Sequence, residues 1–232
     1  MAFFNIPRVW VVVVLLAMGI DASATPFDLA GESARARLQE LAARVEAADP
    51  MAGVRFEAAI LHHMISAEGD KAHAASAVEL LEPFVQAKPD NALALAFLGS
   101  ARTLMGRDAR NPLLSVERIK KGLKDMDRAV EISGDDLSVR LVRAQNSTTL
   151  PSMFGRMATF DTDVEHMLAF PDQIENAEVT IRAHCHLLIG DYHKNKTAYD
   201  LAFNSWQRVL ELAPTGSKVH DEAQARMALF QP

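Results

Sequence analysis

Residues 186–214, HLLIGDYHKNKTAYDLAFNSWQRVLELAP, hold a glycine, an alanine, a tryptophan and a proline at spacings suited to two helices in close contact. In the first half, Ile189-Gly190 sits among apolar residues, and glycine removes the Cβ that would hold a neighbouring helix away. In the second half Leu201, Ala202, Trp206, Val209 and Leu210 recur at three- and four-residue steps, the pattern of one buried face of an amphipathic helix. Ala202 is small enough for close approach, Trp206 is bulky enough to fill a contact, and Pro214 cannot continue a helix.

The same periodicity runs outward along the chain. Leu38, Leu41, Ala42 and Val45 form one stripe, Val78, Leu81, Phe84 and Val85 a second, and Ile119, Leu123, Met126, Ala129 and Val130 a third. The 37 alanines favour helix and tight packing, and no period-two pattern competes. Breakers separate the stripes: Asp49-Pro50, Glu68-Gly69-Asp70, Lys88-Pro89-Asp90-Asn91, Asn111-Pro112, Ser133-Gly134-Asp135, Leu150-Pro151, Phe170-Pro171 and Ala213-Pro214. Thr162 with Glu165, and Asp172 with Glu175, are spaced as capping boxes, and Pro83 falls within a helical stripe and should kink it. The spacing therefore predicts an all-α protein of about ten helices joined by short turns.

The first 24 residues read as an export signal. Arg8 supplies the positive charge, and the apolar run Val9 to Ile20 has 12 residues. A membrane-spanning helix needs about 20, so the run is too short to cross a bilayer. Ala22-Ser23-Ala24 then offers a small-x-small cleavage site, after which 208 residues would remain. No cysteine lies near it, which excludes a lipidated N-terminus. With one cysteine in the chain, Cys185, a disulfide framework and multi-cysteine metal sites are excluded. Export with a single thiol fits a bacterial periplasm, with secretion as the alternative. The net charge of −6, from 24 Lys and Arg against 30 Asp and Glu, leaves no basic footprint for nucleic acid.

The helices also repeat in pairs. Leu98-Gly99 matches Ile189-Gly190, and the second helices carry small-then-bulky residues before a breaker: Ala77 and Leu81 before Pro89, Met126 and Ala129 before Gly134, Ala202 and Trp206 before Pro214. In this the chain resembles the tetratricopeptide repeat family over residues 55–214, with residues 25–54 and 215–232 as N- and C-terminal capping regions. The breakers lie 45, 37 and 43 residues apart (Pro89, Gly134, Pro171, Pro214), longer than the family's repeat of about 34. The pair starting at Asn91 carries an insertion around residues 110–119, and the pair starting at Asp135 has Ala144 in place of the glycine.

The resemblance implies an α-solenoid of antiparallel helix pairs whose first helices line a concave groove for a protein or peptide. Transferred residue by residue, the groove positions are Leu93, Ser100 and Thr103, then Ser138, Leu141, Gln145 and Thr148, then His184, Leu187, Asp191 and Lys194. The Lys/Asn set by which some members clamp a C-terminal carboxylate is missing, so that ligand is not expected. The linker NSTTLPSMFGRMATF, residues 146–160, breaks the repeat, and its Met153, Phe154, Gly155, Arg156 and Met157 offer a partner-binding edge.

Catalytic signatures are lacking: no GxSxG, HExxH, GxGxxG or P-loop pattern occurs, and Cys185 lacks the setting of an activated nucleophile. His184, Cys185, His186 and His193 bring four potential metal ligands into ten residues. On a helix, however, His184 and His186 point about 200° apart, and His186 and His193 lie about 10 Å apart along the axis. His62 and His63 diverge by about 100° and read as structural. The expectation is a non-enzymatic, cofactor-free interaction scaffold or assembly factor of the periplasm. The alternative is a periplasmic metal-binding protein or hydrolase using His184, His186 and His193.

Overall fold

The structure, a computed structural model, describes residues 31–49 and 53–230. The proposed export signal, residues 1–24, and Pro50 lie outside these residues. Among the described residues there are eleven α-helices and no strand, and no helix is long and apolar enough to cross a membrane. The chain divides into two compact units, one ending at Ser133 and one starting at Gly134.

The first unit contains α1 (Gly31–Ala47), α2 (Gly53–Ala67), α3 (His73–Ala87), α4 (Ala92–Arg107) and α5 (Pro112–Ile132). Each helix packs on the next, and α2 also packs on α4, so that first helices of consecutive pairs lie side by side. The predicted breakers place the helix starts. Asn91 Oδ1 accepts the Ala94 N–H at 2.9 Å, and Asn111 Oδ1 accepts the Leu113 N–H at 2.9 Å with Pro112 in the first turn of α5. Helix α3 runs from His73 to Ala87 through Pro83 without interruption.

The inserted residues 110–119 are not a loop. They are the turn and first two turns of α5, which reaches 21 residues against the 16 of α4. A Cβ on Gly106 would come within 2.6 Å of Ile119, so a second glycine lets this lengthened hairpin close along its extra turns. Its tip presents Leu113, 82% exposed.

The second unit contains α6 (Leu137–Thr149), a 3-10 turn (Ser152–Phe154), α7 (Met157–Ala169), the short α8 (Pro171–Glu175), α9 (Val179–Asn195), α10 (Tyr199–Leu212) and α11 (Lys218–Ala228). Asp136 caps α6, its Oδ1 accepting the Ser138 N–H at 2.8 Å. Leu141, Ala144, Phe160, Val164, Met167, Cys185 and Ile189 make one core cluster, and Leu187, Ala202, Trp206, Val209 and Val219 make the next. The second cluster bears out Ala202, Trp206 and Val209 of the reading of residues 186–214, but Leu201, expected on the buried face, is 51% exposed, and Ile189 belongs to the first cluster.

Neither expected capping box forms. Thr162 lies inside α7, where its hydroxyl donates to the Ala158 carbonyl at 2.9 Å, and the helix starts at Met157 with no side-chain cap. Asp172 lies within α8 after Pro171, so it adds negative charge to a first turn but caps nothing.

Candidate functional site

Glycine seams set how closely the helices approach. A Cβ on Gly190 would stand 2.3 Å from Trp206 Nε1 and 2.4 Å from its Cδ1, so the Nε1–Cδ1 edge of the indole comes up against the α9 backbone where a side chain would stand. In the first unit Gly99 and Gly122 face each other, and a Cβ on either would meet the other's carbonyl oxygen at 2.6 or 2.3 Å. The contact uses glycine on both helices where the second pair uses glycine against tryptophan.

Buried and part-buried ion pairs join the helices across the seams. Arg102 of α4 pairs with Glu82 of α3 at 2.6 Å and with Asp125 of α5. Asp163 of α7 is fully buried and accepts from Arg143 Nε and Nη2 at 2.9 and 2.7 Å and from Arg140 Nη1 at 2.9 Å. Arg37 holds the buried Glu57 at 2.8 Å, and Arg226 of α11 holds Asp191 of α9 at 2.8 and 3.0 Å. Removing the arginine partner of Asp163, Glu57 or Asp191 would strand a buried carboxylate.

Against this frame the expected groove residues separate. Ser100, Thr103 and Asp191 are 5%, 3% and 7% exposed, so their expected exposure is corrected. Ser100 Oγ is 2.8 Å from His63 Nε2 on α2, Thr103 donates to the Ser100 carbonyl at 2.7 Å and packs beside Gly122, and Asp191 is bound by Arg226. Leu141 and Leu187 are buried as well, in the two core clusters.

Gln145 and Thr148 are exposed on α6, and His184 and Lys194 are half-buried on α9, which packs against α6. His184 Nδ1 lies 2.9 Å from the Thr180 carbonyl of its own helix. In the linker Phe154 and Arg156 are half-buried, while Met153 and Met157 are exposed beside them. Gly155 takes a left-handed φ of 66°, which glycine adopts without strain.

The four-residue histidine and cysteine run splits three ways. Cys185 is buried in the core, and burial pushes its thiol up to about 12. His184 stays beside its own helix backbone. His186 and His193 line one cleft of about 240 Å³ with Glu175, Ser205 and the apolar Leu168, Pro171 and Ile189. His186 Nε2 is buried, makes no hydrogen bond and stands 4.0 Å from Glu175 Oε1. Burial lowers the pKa of both cleft histidines, so both are neutral at pH 7. The trio His184, His186 and His193 of the alternative reading therefore does not form one ligand set, and no group of three His, Cys, Asp or Glu suited to a metal occurs among the described residues.

A contact invisible to single-helix reasoning lies in the first unit. His62 Nδ1 of α2 meets His73 Nδ1 of α3 at 2.7 Å, with the rings tilted by 38°. Asp70 Oδ2 is 3.7 Å from His73 Nε2 and 3.4 Å from Arg35. Burial, and then the neighbouring His73, bring the His62 pKa down to about 4. Considered alone, His62 and His63 point apart; the partner comes from across the α2–α3 turn.

No protein-family model matches the chain, and no curated protein matches it in sequence. The fold does have a match: a crystal structure of a thermophilic tetratricopeptide-repeat protein of Thermus thermophilus. The similarity has a TM-score of 0.61 at 14% identity and covers 95% of this chain and 97% of that one. The resemblance read from Gly190, Ala202, Trp206 and Pro214 thus extends to the fold, an all-α solenoid of tetratricopeptide-like helix pairs.

Proposed function

From a tetratricopeptide-like solenoid as premise, we propose that this protein is a non-enzymatic interaction scaffold or assembly factor, exported to the periplasm by its N-terminal segment. Solenoids of this kind suggest binding of proteins or peptides along their first helices, because each stacked pair leaves one helix face uncovered. The observation that carries the reading is the first-helix face of the second unit. Gln145 and Thr148 stand exposed on α6, and His184 and Lys194 lie part-exposed on the adjoining α9. This face combines hydrogen-bonding groups with one cation, a composition suited to an extended segment with acidic or amide side chains.

Export rests on Arg8, the 12-residue apolar run and Ala22-Ser23-Ala24. Osmotic-shock fractionation of cells tests it: a tagged chain released with the periplasmic contents, shortened by the signal, supports the assignment, and retention in the cytoplasm refutes it. In-cell crosslinking followed by mass spectrometry tests the scaffold. A discrete partner that is lost when Gln145, Thr148 and Lys194 are all changed to Ala is the expected result. The same crosslinks in the wild type and the triple variant would remove this face from the proposal.

A further inference from the structure

The lengthened α4–α5 hairpin ends in an apolar apex. Pro112, Leu113 and Leu114 stand on the surface there, Leu113 at 82% and Leu114 at 37% exposure. The turn before them adds the exposed Arg110, and the outer side of α5 adds the exposed Lys120, Lys121 and Lys124. At about 100° per residue, Leu113, Leu114 and the three lysines fall within an arc of about 120° and an axial length of about 17 Å. The arc lies opposite the buried Ile119, Gly122, Met126 and Ala129. Glu117 shares it, so the stripe keeps an excess of positive charge. Residues 107–124 hold six Lys and Arg against two Asp and Glu, in a chain whose net charge is −6.

The cations of the stripe differ from those beside them. Arg107 pairs with Asp108 at 2.8 Å, Arg128 pairs with Glu131 at 2.9 Å, and Arg118 reaches the Met105 carbonyl at 3.5 Å. Arg110, Lys120, Lys121 and Lys124 pair with no described residue.

We infer that this apex is a peripheral docking surface for a bilayer bearing anionic phospholipid. Leu113 and Leu114 enter the boundary between headgroups and acyl chains, while Arg110, Lys120, Lys121 and Lys124 meet lipid phosphates. Aliphatic side chains and unpaired cations on one arc select this partner, because a nucleic-acid surface would offer the phosphates but leave the leucines in water. Beneath the apex Gly99, Gly106 and Gly122 let α4 and α5 close tightly, so the surface is held ready and docking orders little of the protein. With two leucines and no lipid anchor the attachment is reversible and weakened by salt.

Co-sedimentation of the purified chain starting at Thr25 with phosphatidylglycerol/phosphatidylcholine vesicles tests the inference. This chain keeps every described helix and lacks the apolar run Val9 to Ile20, which would hold lipid by itself. Expected is binding to the mixed vesicles, little to phosphatidylcholine alone, and loss of most of it as salt rises from about 0.1 to 0.5 M. Lys120→Gln with Lys124→Gln should weaken binding about tenfold, whereas Lys71→Gln with Lys218→Gln, the same change of charge at exposed sites elsewhere, should weaken it less than about twofold. Leu113→Ser, at a site too exposed to matter for folding, should weaken it about fivefold. Because Cys185 is buried, a fluorophore on Leu113→Cys reports position 113 alone, and its emission should shift to the blue on the mixed vesicles. Equal binding to both vesicle types, no binding to either, or equal losses in the two lysine double variants overturns the surface. Binding that depends on the lysines but leaves Leu113→Ser and the fluorophore unaffected overturns entry of the apex. Capture of an acidic protein by a photocrosslinker at position 113 in cells, without vesicle binding, overturns it in favour of a protein partner.

Discussion

Substituting Gly190→Ala probes the helix contact that defines the second unit, and the sign of the effect carries the answer. In an open helix the change would stabilise the protein by about 1 kcal/mol, because alanine is the better helix former. Here the new methyl carbon would lie 2.3–2.4 Å from the near edge of the Trp206 ring. Ordinary carbon contacts lie near 3.5–4.0 Å, so α9 and α10 must part by about 1 Å or the indole must leave its rotamer. Overpacking of this kind costs about 1–3 kcal/mol, and a rigid, buried ring places it near the upper end.

Net of the propensity gain, Gly190→Ala should destabilise by about 2 kcal/mol. With a urea slope of about 2 kcal/mol/M, the midpoint falls by about 1 M. Tryptophan fluorescence is a direct reporter, since of the two tryptophans Trp10 lies in the proposed export segment and Trp206 alone remains in a chain starting at Thr25. Adding Trp206→Leu, with unfolding then followed by helical circular dichroism because the fluorescent reporter is gone, should remove most of the penalty for the alanine, a coupling of about 1–3 kcal/mol. A midpoint that rises in Gly190→Ala would refute the close glycine–indole contact.

Two other predictions concern titration and thiol chemistry. His62 binds its proton more weakly in the folded chain (pKa about 4) than in the unfolded chain (about 6.5), so the stabilisation is complete above pH 6.5 and is lost as pH falls from 6.5 toward 4. For a ring still reached by solvent the loss is about 1–2 kcal/mol, and thermal melts at pH 7 and pH 4.5 should show a smaller drop for His62→Gln than for the wild type. Cys185, buried and with its thiol held up to about 12, should resist a disulfide reagent in the native protein and react at the rate at which its surroundings open, so immediate reaction without denaturant would contradict its place in the core.

What could be read from the sequence was the part decided locally. Gly190, Ala202, Trp206 and Pro214 lie within one hairpin, and their sizes alone dictate which meets which. The breakers worked for the same reason, because Asn91 and Asn111 cap the helices that follow them within three residues. The burial of predicted groove residues was not legible, because it depends on partners far along the chain: His63 lies 37 residues from Ser100, and Arg226 lies 35 from Asp191. Periodicity shows that Asp191 is polar on a helix but not that a later helix returns an arginine to it. The capping boxes failed because Thr162 and Glu165 have the required spacing but sit inside a helix that starts five residues earlier, at Met157. The His62–His73 contact escaped because the angle between two histidines was considered on one helix, while the turn at residues 68–72 supplies the second ring from the next.

The central claim is that partners bind along the first-helix face, and a photocrosslinking amino acid placed at single positions in cells tests it most directly. Gln145 on α6 and Leu201 on α10 are both exposed in the second unit, one on a first helix and one on a second helix. The account predicts a discrete crosslinked protein from position 145 and none from position 201. Crosslinks from position 201 alone, or equal and diffuse crosslinks from both, would contradict it.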